Sequence, residues 1–102
     1  MAEEAHIRVN YVYLLRCADG TLYCGWTTDP AARLRAHNSG RGAKYTHSRR
    51  PVELVYLEAC ESRRDALSRE WHLKRLSHAE KEALAAAYLE KAAASPSEAE
   101  KR

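Results

Sequence analysis

Residues 11 to 26 read Tyr11-Val12-Tyr13-Leu14-Leu15-Arg16-Cys17, then Ala18-Asp19-Gly20, then Thr21-Leu22-Tyr23-Cys24-Gly25-Trp26. Two runs of β-branched, aromatic and aliphatic residues around Asp-Gly are the pattern of a β-hairpin. Loop length decides which side chains share a face, because side chains alternate along a strand and a one-residue slip moves all of them across the sheet. A two-residue Asp19-Gly20 loop puts Tyr13 and Tyr23 on opposite faces. A three-residue loop, Ala18-Asp19-Gly20 with Gly20 left-handed, pairs Cys17 with Thr21 and puts both tyrosines on one face. It also gathers Val12, Leu14, Leu22, Cys24 and Trp26 on the other, an apolar surface broken only by Arg16 near the turn. The longer loop is the expected one.

Working outward, Asp29-Pro30 is an N-cap followed by proline at the first helical position, and Gly40 supplies a stop. Residues 30–39 therefore read as a short helix with Arg33 and His37 one turn apart. From Ser39 to Arg50 glycines, serines and cations without periodicity read as a loop. Pro51 introduces Val52-Glu53-Leu54-Val55-Tyr56-Leu57-Glu58-Ala59-Cys60, a third strand. Ser62 with Asp65 and Ser77 with Glu80 have capping-box spacing, which predicts helices over about 63–76 and 78–93. Ser95-Pro96-Ser97 ends the second, and residues 95–102 read as a disordered tail with nothing to bury. The order is β-β-α-β-α-α.

The 102 residues are 45% hydrophobic and 30% charged, enough apolar material for one core and too little length for two. A single domain over residues 1–94 is expected. No uncharged apolar run approaches the roughly 18 residues of a membrane span, so no membrane is involved. The start Met1-Ala2-Glu3-Glu4 is acidic, with no apolar stretch behind it, which argues against a secretory signal and for the cytoplasm. Cys17, Cys24 and Cys60 are odd in number, lack C-x-x-C spacing and sit in apolar runs, so they read as buried free thiols. The histidines form no zinc-binding pattern.

The net charge is only +3, but no Asp or Glu occurs between Pro30 and Val52. That stretch carries Arg33, Arg35, Arg41, Lys44, Arg49 and Arg50 with His37, His47 and Tyr45. Cations unbalanced by acids and mixed with glycines and an aromatic favour phosphate binding over a merely solvated face. On the helix over 63–76, a projection at about 100° per residue puts Ala66, Leu67, Trp71, Leu73 and Leu76 along one arc, with Glu70 near its middle. A carboxylate there needs compensation. Lys74, one turn on, supplies it as an ordinary ion pair; the other reading is a hard-metal ligand at the rim of a cleft.

A strand tyrosine alone is usually a packing residue, and an Arg-x-x-x-His pair alone an exposed helix face. Their joint order carries more. Tyr11-Val12-Tyr13, Tyr23-Cys24-Gly25, Arg33-Leu34-Arg35-Ala36-His37 and Arg69-Glu70-Trp71 resemble the successive motifs of the GIY-YIG nuclease superfamily, over about residues 10–78. The chain is similar to its small stand-alone bacterial members and to the nuclease domain of structure-specific endonucleases that cut branched DNA. The resemblance implies an α/β fold of the α+β type, a small three-stranded antiparallel sheet flanked by helices. It implies an endonuclease that hydrolyses DNA phosphodiesters with one divalent cation, Mg²⁺ or Mn²⁺.

Carried over by motif, Glu70 matches the metal-binding glutamate and Tyr13 and Tyr23 the two motif tyrosines, one of which activates the attacking water. Arg33 matches the arginine that holds the scissile phosphate, and His37 the residue that assists the base. A tyrosine pKa near 10 has to be lowered for base duty, which a metal, Arg33 or Lys74 nearby would do. Arg35, Arg41, Lys44, Tyr45, Arg49, Arg50 and Lys74 are the expected nucleic-acid contacts. They would read phosphates and shape rather than base sequence, with a protein partner as a second means of targeting. The chain departs from the family pattern at Tyr11 for glycine, Cys24 for isoleucine and Glu82 for an asparagine. The last motivates an alternative, a non-catalytic DNA-binding module; an adaptor using the Ala-rich final helix is a third class.

Overall fold

The computed structural model describes the backbone of residues 9–100 and the side chains of residues 9–93. The acidic start lies outside the described residues. Strands β1 (Asn10–Arg16), β2 (Leu22–Thr27) and β3 (Glu53–Cys60) form one antiparallel sheet in the order β2-β1-β3. Helices α1 (Pro30–Asn38) and α2 (Lys44–His47) fall between β2 and β3, and α3 (Arg63–Lys74) and α4 (His78–Glu100) follow. This is the expected antiparallel sheet flanked by helices, with one added turn of helix.

The hairpin has the three-residue loop. Leu15 lies opposite Tyr23 and Leu14 opposite Cys24, Cys17 N donates to Thr21 O at 2.8 Å, and Gly20 has φ +87°. Asp19 secures the turn by accepting from the Thr21 backbone at 3.0 Å and its hydroxyl at 2.7 Å. The two tyrosines consequently share a face.

Central strand β1 is buried on both sides, and the two sides hold separate clusters. Val12, Leu14, Leu22, Cys24 and Val55 pack with Ala66 and Leu73 of α3 and Ala85 of α4. Tyr13, Leu15 and Cys17 pack with Val52, under Tyr23, Leu34, Leu54 and Leu57. A β-bulge assists this division. β1 register shifts between Leu14 and Leu15, which face Tyr56 and Leu54, so Leu54 and Leu57, three apart in sequence, both serve the tyrosine side.

The helix starts follow their capping residues. Asp29 accepts from Ala32 N at 3.1 Å with Pro30 at the first turn. Ser62 accepts from Asp65 N at 3.0 Å, and Ser77 and Glu80 form a reciprocal box at 2.8 and 3.1 Å. Arg16, the flaw in the apolar face, is neutralised there by Glu82 of α4.

Four expectations need correction. Residues 39–50 are not all loop, since α2 is one turn of helix; a single turn is too short to leave a periodic pattern. Helix α4 continues through Ser95-Pro96-Ser97 to Glu100. Proline removes one backbone donor but its fixed φ suits a helix, and Ala92-Ala93-Ala94 before it favour helix strongly. On α3, Ala66 and Leu73 are fully buried, but Leu67 and Trp71 are 41% and 56% exposed. Arg69 reaches Glu58 of β3 at 2.9 Å, so an ion pair at the margin as well as the apolar stripe goes with the rotation of the helix, and Trp71 lies against Arg75 at 4.6 Å and His72 at 5.0 Å. Finally, Cys60 is half-buried, whereas Cys17 and Cys24 are buried; all three are free.

Candidate active site

Tyr13 lies on the central strand, where the hydrogen-bonded ladder fixes its direction. Its phenol extends over the neighbouring β2 residue, Gly25, where an added Cβ would lie 2.5 Å from the Tyr13 oxygen and 2.7 Å from Cζ. Only glycine leaves that space. The phenol meets His37 of α1, with Tyr13 Oη 3.0 Å from Nε2. His37 is fully buried, and its Nδ1 is 2.8 Å from Thr46 Oγ1 on α2. Three elements distant in sequence thus converge on one imidazole.

Tyr23 packs against the same ring, its centroid 5.3 Å from that of His37. Tyr45 stacks outside Tyr23 at 5.9 Å, and Arg49 lies 3.9 Å over Tyr45. Arg33, one turn before His37 on α1, is near enough for its charge to act on Tyr13. Helix α1 is anchored by Asn38, whose side chain accepts from Val52 N at 2.7 Å and donates to Val52 O at 3.0 Å. These bonds tie the helix that carries Arg33 and His37 to the start of β3.

Burial dominates the Tyr13 pKa and raises it; Arg33 opposes this only in part, and the charges of Tyr23 and Glu70 push it further up. Burial, followed by the Arg33 charge, lowers the pKa of His37. The pair is therefore a protonated phenol beside a neutral imidazole at neutral pH, and the imidazole is the natural proton acceptor of the two.

Glu70 stands apart from this cluster. Its helix packs on the opposite face of the sheet and reaches the tyrosines only across the edge of β2, where Cys24 Sγ approaches Glu70 O at 3.9 Å. The carboxylate is mostly buried, with 16% of its side chain exposed, and pairs with Lys74 at 3.3 Å. The ordinary intrahelical ion pair is thus present. Glu70 thus approaches the tyrosines over the edge of the sheet, close enough for its charge to act on Tyr13. A groove of about 270 Å³ between Tyr23, Tyr45, Lys74 and Lys81 marks this edge.

The expected nucleic-acid contacts divide into two groups. Arg35, Arg41, Lys44 and Tyr45 are exposed. Arg41 and Lys44 border a groove of about 510 Å³, and another of about 530 Å³ runs by His47 and Arg50. Arg49 is instead committed to structure, bonding Asp19 at 3.0 Å and Tyr45 O at 2.8 Å. Arg50 similarly bonds His47 O at 2.7 Å. These larger grooves lie in the basic segment, beside rather than on the Tyr13–His37 pair.

The family model of the GIY-YIG catalytic domain matches residues 9–83. The chain belongs to the GIY-YIG family. It is 52% identical over 73 residues to a UPF0213 protein of Clostridium perfringens, covering 72% of this chain and 78% of that one. With a UPF0213 protein of Syntrophus aciditrophicus the identity is 58% over 73 residues, covering 71% and 84%. The solution NMR structure of the protein EF2693 from E. faecalis is similar at a TM-score of 0.53 and 45% identity, covering 74% of this chain and 81% of that one. GIY-YIG domains are nuclease domains, and nucleases of this family use divalent metal ions.

Among the described residues no three His, Cys, Asp or Glu side chains group as a metal cage. Glu70 supplies one carboxylate, the donor type that a hard cation such as Mg²⁺ takes alongside waters. Among the described residues no helix is long and apolar enough to cross a membrane. Sequence reading did not single out Thr46 or assign a role to Gly25. A small residue two positions after Tyr23, opposite a buried tyrosine, was the available signal for Gly25; Thr46 carried none, lying in a stretch without period.

Proposed function

We propose that this GIY-YIG protein is an endonuclease, dependent on Mg²⁺ or Mn²⁺, that hydrolyses DNA phosphodiester bonds, with branched or damaged DNA in repair or recombination as its substrate class. The observation that carries the reading is the buried Tyr13–His37 hydrogen bond, with Arg33 one turn from His37 on the same helix. Hydrolysis of a phosphodiester requires a base for water, charge neutralisation at the phosphate and stabilisation of the departing oxygen. Tyr13 takes a proton from the attacking water as its own passes to His37 Nε2. Arg33 grips phosphate oxygens through its planar guanidinium. Tyr23 packs the imidazole in place and borders the groove where the substrate strand enters.

Glu70 is the residue that would hold the divalent cation, with Lys74 limiting the charge of the carboxylate. Bound there, such a cation supplies charge neutralisation at the phosphate and a more acidic water. Arg35, Arg41, Lys44 and Tyr45 extend the contact along the backbone, and the weak base readout of such contacts leaves targeting to DNA shape or a protein partner. Glu82, the departure from the family asparagine, is engaged with Arg16 and with His78 at 3.3 Å, which gives it a structural task. Helix α4 spends its inner face on its own sheet, through Ala85 and the Tyr88–Tyr56 contact at 5.8 Å, which disfavours the adaptor.

The test is a cleavage panel of linear, nicked, flapped and branched DNA with Mg²⁺ or Mn²⁺. Cutting that is lost in Tyr13→Phe, Arg33→Ala and Glu70→Ala is expected, each by about 100-fold or more. Salt-sensitive binding without cutting under either metal would replace this reading by the non-catalytic module.

A further inference from the structure

The hydroxyl of Thr46 has one proton and two lone pairs to place. Its proton goes to Ala43 O at 3.0 Å, and Ala43 N–H approaches its oxygen at 3.4 Å. The remaining contact, His37 Nδ1 at 2.8 Å, therefore finds Thr46 as an acceptor. The far side of the ring gives the same assignment. The phenol is buried and His37 Nε2 at 3.0 Å is the hydrogen-bond partner of its oxygen, so its proton has that lone pair to go to.

Gly42 adds an independent constraint. A Cβ at that position would lie 2.2 Å from His37 Nδ1 and 2.5 Å from Cγ, so the loop backbone lies directly against the imidazole. A threonine that served only to close the α2 turn would need its Ala43 contacts and no third one aimed at a buried imidazole.

We propose that Thr46 is a positioning residue that holds His37 in the Nδ1–H tautomer, so that only the Nε2 lone pair faces Tyr13, while Gly42 fixes the ring plane. A neutral imidazole in the other tautomer would present N–H to the phenol and could not take its proton. The logic is that of any histidine base whose second nitrogen is held by an acceptor.

Ring-nitrogen NMR of ¹⁵N-labelled protein tests this without DNA. At about pH 7.5, where a histidine of ordinary or lowered pKa is neutral, His37 is expected to show a protonated Nδ1 and a bare Nε2. Thr46→Val, which keeps the shape and removes the acceptor, is expected to shift the ring toward a mixture of tautomers, and Thr46→Ser to restore the single form. The activity arm rests on the nuclease reading: Thr46→Val slows cleavage by about 100-fold at unchanged KM, and Thr46→Ser returns it to within a few-fold, the scale of a general-base contribution. A protonated Nε2 in the unsubstituted protein overturns the proposal even if Thr46→Val does not fold. So does an unchanged Nδ1–H tautomer in a folded Thr46→Val. The expected tautomer and its response to substitution, with no DNA cleaved, would support Thr46 and count against the nuclease reading alone.

Discussion

The two faces of this small sheet are built to different ends from the same three strands. On the α3–α4 side, Val12, Leu14, Val55 and Leu73 are fully buried and apolar; its polar groups, such as the Arg69–Glu58 pair, lie toward the margin with over a third of each side chain exposed. On the α1–α2 side, a histidine, a threonine and a tyrosine are fully or almost fully buried at the centre, each with a hydrogen-bond partner. Burying such groups is tolerable only when they satisfy one another. One face stores stability, and the other uses it to hold a reactive arrangement in place.

The comparison is most directly challenged by Leu73→Ala. Removing that buried side chain should destabilise the fold by about 2–5 kcal/mol, measured by urea denaturation, while turnover per folded molecule stays unchanged. A parallel loss of turnover would mean that the faces are not separable.

Gly25→Ala should do the reverse. The added methyl displaces the Tyr13 ring and is expected to reduce DNA cleavage by about 100-fold for a stability loss of only about 1–3 kcal/mol. Cleavage rates and denaturation on one sample decide this.

The faces should also titrate in different windows. His37 has a lowered pKa from burial and the Arg33 charge, so the unfolded chain protonates first as pH falls. Its contribution is complete above about pH 6.5 and is lost as pH falls through the lower folded value. On the other side, burial alone would raise the pKa of Glu58, but hydrogen bonds from Tyr56 and Arg69 outweigh it and hold it low. That contribution is complete above about pH 4.3 and is lost only below. Thermal unfolding followed over about pH 2–8 should show both declines, and in His37→Gln only the second.

The smallest effect belongs to the exposed cations. Arg41→Ala and Lys44→Ala should each weaken DNA binding alike across sequences and reduce its salt slope by about 1, with no change in stability. Fluorescence anisotropy over a salt series measures both.

Much of this division can be read in the sequence. Alternation and the Asp19-Gly20 turn assign Tyr13 and Tyr23 to one face and Leu14 and Cys24 to the other, because a period of two and a turn geometry are local properties. Capping pairs place the helix starts for the same reason. The rotation of α3 was not legible, since Arg69 meets a partner on β3 that no local pattern names. Nor was the role of Arg49, which looks like a free cation until the fold brings Asp19 to it across thirty residues of chain. Thr46 had no periodic signature, and its importance lies wholly in which ring it meets. Glu70 was legible as a carboxylate needing compensation, but its approach over the edge of β2 is a tertiary fact.

The hairpin loop also acts as an alignment gauge. With Ala18, Asp19 and Gly20 between the strands, Tyr23 faces the histidine and Cys24 the apolar layer. Losing one residue there would exchange those two assignments together with those of Leu22 and Gly25, setting a cysteine in the site and a phenol in the oily layer. Exchanges of side chain at Ala18 are harmless by comparison. Length at this turn is what the molecule has to keep, together with the left-handed Gly20 and the Asp19 carboxylate that close it.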